Sequence, residues 1–461
     1  MAAAFGSAHA TFELANAQTA PDASTLDTLA TSSITNTDAT DTAVTGGTTG
    51  VAGGTVSLSA NTNFAEATVN RAVNGLSVGG GASNGATSAM SNNQASVSTV
   101  QATATGSVVF TLYGNGANEA ADTSSITVGS NVNQALARGN SADNTLASSA
   151  SASLVGATAV NASTTPAQAL ATTALLNGQT STGGTIGATA TGTFGTTLSG
   201  TAAGAVTASS VALNGNTTAS EALANRAFNS VTVAGGASNN ATGALVNLQT
   251  SSTAVSASAV SAVNAVLTGG TGSGNEALAG SSVAIRGNVT QAVARGNVAL
   301  NAMAYTAGAN FTSPTLGASV TGSTSTGAAA AAVLNSQTNS GAVSATAANS
   351  VYAVALNGTP VVTGAAALNS SVSVSGNSVA ALAHGNQASS TLGLTALNTG
   401  NATAAANNVQ SNSGVITASV TSVAFTINTT GTVTSGSMRN IGNAAIAQAV
   451  GNSAMTILGA R

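Results

Sequence analysis

Along much of this chain apolar and polar side chains alternate nearly one for one. The stretches SSITV (124–128), SSVAI (281–285), SVSVS (371–375) and GVITASVTSVAF (414–425) set Ile, Val, Ala or Phe between Ser and Thr. A period of two sends successive side chains to opposite faces of a strand. Gly-Asn and Asn-Gly pairs punctuate these runs, and both residues tolerate the positive φ of tight turns. Stretches such as NQALARGNSADN (133–144) have the Ala content of a helix. The surrounding Gly, Thr, Val, Ser and Asn are all poorer helix formers than Ala, so strands are expected to dominate.

The alternation is organised into two interleaved repeats. Asn61, Asn131, Asn216, Asn288, Asn377 and Asn443 each precede a second Asn by nine positions: Asn70, Asn140, Asn225, Asn297, Asn386 and Asn452. Two residues later every copy has Ala, and six residues later a large aliphatic side chain: Leu76, Leu146, Val231, Met303, Leu392 and Leu458. An apolar-x-apolar pair precedes five copies; the sixth has Met438 and Asn440 instead. Between these copies lie five Asn-x-Gln motifs, whose glutamines are Gln94, Gln179, Gln249, Gln337 and Gln410, each with Ala three positions before its Asn. Successive copies of the first motif are 70, 85, 72, 89 and 66 residues apart, so short and long intervals alternate.

Short strands, tight turns, small side chains and a long repeat predict an all-β fold, an elongated β-solenoid or β-helix array. The alternative is a row of β-sandwich-like domains. In a solenoid, equivalent residues of successive rungs stack about 4.8 Å apart. Asn at a corner then adopts the left-handed region itself and bonds the amide of the next rung. Four rungs of about 19 residues fit one repeat, giving about 21 rungs and a rod on the order of 100 Å long. That rung length would stack Glu119 on Arg138 and Glu276 on Arg295. The array is expected over 51–461. Residues 1–50 form a polar acidic segment with two A-x-A patterns, Ala8-His9-Ala10 and Ala15-Asn16-Ala17, read as a signal remnant, a cap or a disordered arm.

Composition narrows the chemistry. Charged residues are 4% and aromatics 2% of the 461, with 53 Gly, no Cys and no Lys. Such a chain must gain its stability from backbone hydrogen bonding and close packing of small groups. An apolar content of 43% and a net charge of −4 argue against disorder. No basic footprint for nucleic acid is present, and the longest apolar run, Ala328–Leu334, is too short to span a membrane. Beyond residue 143 the only carboxylates are Glu221 and Glu276, and the only histidines are His9 and His384. No catalytic, metal or cofactor set is expected from so few groups, and neutral Asn turns bind Ca²⁺ weakly. Arg71 and Arg226 follow Glu66 and Glu221 by five residues and are expected to form surface ion pairs with them.

What remains is mechanical: an extracellular, surface-attached rod of adhesive function. No polar cap is evident at the C-terminal end, so that end is expected to dock a second copy, a fibre protein or another partner. An ice-binding or other repetitive-surface-binding solenoid is the second reading. TAT and TST triplets occur, but their Thr are scattered and are not expected to fall in one column of the repeat. With repeats of the GNVTQAVARGN type (287–297), Asn-x-Gln strands and no Lys or Cys, the chain resembles the β-repeat holdfast-anchor surface proteins of stalked alphaproteobacteria and, more loosely, other bacterial β-repeat adhesins. The resemblance implies a secreted protein tethering adhesive polysaccharide at the outer surface beside curli-like partners. It carries over no functional residue.

Overall fold

The computed structural model describes residues 11–20, 25–38, 51–114, 119–156, 158–164, 167–200, 204–270, 276–311, 317–321, 326–357, 365–398 and 402–460. The described residues are all-β, with parallel sheets stacked in register as a β-solenoid. The period is the correction. Residues spaced by the full Asn repeat are immediate hydrogen-bonded neighbours: Asn140 pairs with Asn70 on one side and Asn225 on the other. One turn of the coil therefore consumes the whole repeat, and the described residues make six turns instead of some 21 rungs of 19 residues. Five steps of about 4.8 Å give roughly 24 Å between the first and last turns. The molecule is a broad, short coil, not a 100 Å rod.

The third turn shows the plan. A strand carrying Asn-x-Gln, Thr173–Ser181, leads through Gly183 and Gly184 into a fifteen-residue strand, Thr185–Ser199. The chain then returns along Val206–Thr207, Ser210–Asn214 and the nineteen-residue strand Thr217–Gly235, which carries the second Asn of the repeat. Each segment stacks on its counterparts above and below, which defines an Asn-Gln ladder, a hydroxyl ladder, a corner ladder and a double-asparagine ladder. The first two form one wall of the coil and the last two form the facing wall.

Each double-asparagine strand serves both halves of the opposite wall because its side-chain parity reverses midway. The paired register skips one residue, Gly139 in the second turn, so Ala135 and Ala137 face one lobe and Asn140, Ala142 and Leu146 face the other. A Cβ on Gly139 would lie 2.7 Å from the Ala224 carbonyl oxygen. This close approach explains the second Gly-Asn pair of the motif. Two apolar cores result. One contains Ile126, Ile186, Val255 and Tyr352 beneath the hydroxyl ladder; the other contains Leu146, Leu175, Val231 and Tyr305 beneath the Asn-Gln ladder.

Two hairpins account for the long intervals. Val160–Thr164 with Ala167–Ala171, and Ala318–Thr321 with Thr326–Ala329, are inserted after the second and fourth turns. They meet across the third turn through antiparallel pairing of Ala169 with Val320. The four-stranded sheet so formed covers the outer face of the Asn-Gln ladder, where Ala169 and Val320 pack with Leu176 and Val246.

The array also starts earlier than 51. Thr11–Ala20 and Thr25–Asp38 are the first strands of the Asn-Gln and hydroxyl ladders, with Asn16 on Asn92 and Gln18 on Gln94. Ala15-Asn16-Ala17 thus lies within a strand, whereas Ala8-His9-Ala10 lies outside the described residues. This sixth Asn-x-Gln escapes the sequence alignment because Glu13 occupies the column that is Ala in the other five.

Candidate functional surfaces

The structure brings every repeat amide into continuous axial ladders. Asn61, Asn131, Asn216, Asn288, Asn377 and Asn443 form the first, at the corner entering the double-asparagine strands. Each Nδ2 donates to the next Oδ1 at 2.8–2.9 Å, and that oxygen also accepts the preceding Asn backbone N–H. The left-handed residue of this corner is the one before the Asn: Ala60, Ser130, Gly215, Gly287, Gly376 and Gly442, with φ of 55–68°. Asn was expected to take that conformation itself. Instead its amide caps the corner while Gly, Ser or Ala makes the bend.

Asn70, Asn140, Asn225, Asn297, Asn386 and Asn452 form a second ladder through the middle of the coil, each link 2.8 Å. The second hydrogen of each Nδ2 crosses to the opposite wall, as from Asn225 to the Thr250 carbonyl. Asn92, Asn177, Asn247, Asn335 and Asn408 form a third. Gln18, Gln94, Gln179, Gln249, Gln337 and Gln410 form a fourth, each also donating to a carbonyl across the coil from Gln18 to Gln410. The directions differ. Every Asn ladder donates toward the C-terminal turn, and the Gln ladder donates toward the N-terminal turn. Within the middle turns these amides are fully buried.

A serine ladder was not visible beforehand. At the corner opening each corner strand, Ser124, Ser209, Ser281 and Ser370 accept the preceding serine or glycine N–H on Oγ. They donate back to the carbonyl two residues earlier at 2.6–2.7 Å. The available signal was a small-residue column two positions before the apolar-x-apolar pair. An open groove of about 850 Å³ runs past these serines along the axis, but their hydroxyls are engaged in capping the backbone.

Three ion pairs lie on the outer face of the double-asparagine ladder, each tying one turn to the next: Arg138 to Glu66 at 3.3 Å, Arg226 to Asp143 at 3.1 Å and Arg295 to Glu221 at 2.5 Å. Neither the expected stacking of Glu119 on Arg138 nor that of Glu276 on Arg295 occurs, because 19 residues are a quarter of a turn. Arg226 turns away from Glu221 and covers the Phe228 ring at 3.7 Å. Burial holds the Arg138 guanidinium below its ordinary value, against the pull of Glu221 and Glu66. His384 stacks on Arg295, and burial, then that cation, lowers its imidazole pKa.

The outer face of the hydroxyl ladder is solvent-facing. Thr31, Thr105 and Thr191 stack in one column, and Thr103, Thr189, Ser258, Thr346 and Ser419 in another two residues away. The Thr were expected to be scattered over the repeat; they share columns instead, because one turn of the coil is a whole repeat and sets these strands in register. Hydroxyl side chains recur about every 4.8 Å along the axis and about 6.6 Å along each strand.

Among the described residues no group of three or more His, Cys, Asp and Glu could hold a metal ion, and no helix is long and apolar enough to cross a membrane. The chain matches no known protein family, no curated protein and no solved structure.

Proposed function

We propose that this protein is an extracellular structural and adhesive element: a stiff β-solenoid that presents a repetitive hydroxyl surface to an extended polymer, anchoring matrix at a bacterial surface. The observation that carries this reading is the solvent-facing side of the hydroxyl ladder, with Thr31, Thr105 and Thr191 in one column and Thr103 and Thr189 beside it. Fixed rows of hydroxyls on a backbone that cannot flex offer donors and acceptors at low entropic cost of binding, which suits polysaccharide. The ladders supply the stiffness. The sequence resemblance to holdfast-anchor proteins agrees with this role. The test is retention of purified protein on immobilised polysaccharide. Thr105→Arg with Thr191→Arg, both on the solvent face, is expected to lower retention at least tenfold with folding unchanged. Equal retention by the double variant refutes the role of this face.

A second reading rests on the same face. Thr-x-Thr pairs at 103/105 and 189/191, stacked turn on turn, form a two-dimensional hydroxyl lattice of the kind that ice can match. Thermal hysteresis at micromolar protein distinguishes the two readings: a gap between melting and freezing points favours ice, and its absence favours the polymer.

A further inference from the structure

The two ends of the coil differ in what they offer. At the C-terminal turn the strands Ala404–Asn412, Ile416–Thr421, Ser437–Ile441 and Ala444–Ala460 pair on one side only, as do the first-turn strands at the other end. Each end thus carries unpaired backbone groups, and the column residues at the ends match: Asn408 and Asn16, Gln410 and Gln18, Asn452 and Asn70, Leu458 and Leu76. Core columns that are sealed inside the coil open at these ends. Leu458 is 54% exposed where Leu146 in the same column is 0%. Leu26, the first member of the column that ends at Ile416, is 36% exposed.

We propose that the C-terminal face binds the N-terminal face of a second copy of this chain, continuing the coil head to tail. This rests on the reading as a structural protein and adds how copies of it join. Ladder polarity selects this occupant and this orientation. The Asn ladders leave unused Nδ2 hydrogens at the C-terminal face, where Asn408 Nδ2 is shielded from solvent and has no partner. At the N-terminal face they leave Oδ1 acceptors on Asn61, Asn70 and Asn16. The Gln ladder does the reverse, with Gln410 Oε1 as acceptor at the C-terminal face and a hydrogen of Gln18 left over at the other. Head-to-tail stacking mates donor with acceptor in the middle asparagine, Asn-x-Gln asparagine and glutamine columns, whereas head-to-head stacking sets Asn oxygens against Asn oxygens.

Charge agrees. Among the described residues the first turn carries Glu13, Asp27 and Glu66 against Arg71, while the last turn carries Arg439 and no acid. An acidic head meets a basic tail. One corner is closed already: Asn440 accepts the Asn443 Nδ2 hydrogen at 2.6 Å, so the corner ladder ends in the chain itself and the contact rests on the other three. A contact between two different faces has no symmetry that closes it, so it propagates as an open filament.

Light scattering and negative-stain microscopy of the full chain test this. Wild type is expected to form filaments that lengthen with concentration and shorten at high salt, as screening weakens the end charges. Leu458→Asp blocks the tail and Leu26→Asp the head, each at a side chain already open to solvent, and each variant alone is expected to be monomeric. Mixed, they should give one-to-one dimers and nothing larger, because one intact head meets one intact tail. Asn408→Asp keeps the oxygen that Asn335 needs and removes only the unused donor, so it serves as a second tail variant that leaves the fold intact. A wild type that stays monomeric at about 100 µM, far above a stable assembly's Kd, overturns the proposal. So does either aspartate variant of Leu26 or Leu458 dimerising alone, which marks like-face contact. Polysaccharide retention measured on monomeric Leu458→Asp reads the adhesive role separately from assembly.

Discussion

Replacing Asn225 by Ala removes one link from the centre of the middle ladder. Its Nδ2 donates to Asn297 Oδ1 and to the Thr250 carbonyl, both at 2.8 Å, and its Oδ1 accepts from Asn140 Nδ2 at 2.8 Å. The side chain is 0% exposed, so water does not replace these partners. The substitution orphans a hydrogen on Asn140 and an oxygen on Asn297. At about 1–3 kcal/mol for each buried unsatisfied group, the loss is roughly 2–6 kcal/mol. Asn452→Ala deletes the exposed end of the same ladder and breaks the 2.8 Å bond from Asn386 and a long 3.5 Å bond to the Gln410 carbonyl, at a face where water can substitute. Its cost should be below about 1 kcal/mol. Urea unfolding followed by circular dichroism, at dilutions where the chain is monomeric, measures both. Because turns of a repeat coil can unfold separately, coincident midpoints from fluorescence of the three tyrosines and from circular dichroism must accompany the free energies. Equal costs at the two positions, or less than about 1 kcal/mol at Asn225, would refute the claim that buried amide ladders hold the coil.

Three further outcomes follow from the geometry. Gly184 has φ of +53° and its missing Cβ would sit 2.6 Å from the Ser98 carbonyl oxygen, whereas Gly287, at φ of +65°, has open space there. Thermal denaturation should therefore show Gly184→Ala costing about 3 kcal/mol and Gly287→Ala only about 1. His384 titrates below its ordinary value in the folded chain, so the unfolded chain binds more protons as pH falls past about 6.5; stability present above that pH is lost as pH drops through the lowered folded value. The melting temperature of His384→Gln should accordingly fall less than that of wild type between pH 7.5 and 5.5, and an unchanged difference counts against the assignment. A double-mutant cycle on Arg295 and Glu221 should give a coupling below about 1 kcal/mol, since both side chains remain 28% exposed. A larger value would move these pairs from decoration to structure.

What the sequence determined was the columns. Asn140 aligns with Asn225 and Leu146 with Val231 whether read from the chain or from the sheets, because stacked in-register strands demand the same side chain at the same place. The all-β class followed equally, since alternating small and β-branched residues on Gly-rich turns cannot build a helix. The columns did not reveal how far apart along the axis they lie. A repeat of 66–89 residues reads the same whether it closes one turn or four, and the decision rests on which strand walls face each other across the core. That facing fixed everything else the sequence left open. It placed Gly139 where a strand must change lobes, brought hairpins from the second and fourth turns together at Ala169 and Val320, and drew Asn16 and Gln18 into the array. It also set the direction in which each amide points. Asn and Gln have the same functional group, but they donate in opposite directions along one axis, and only the packing of the two walls could choose the sense of each.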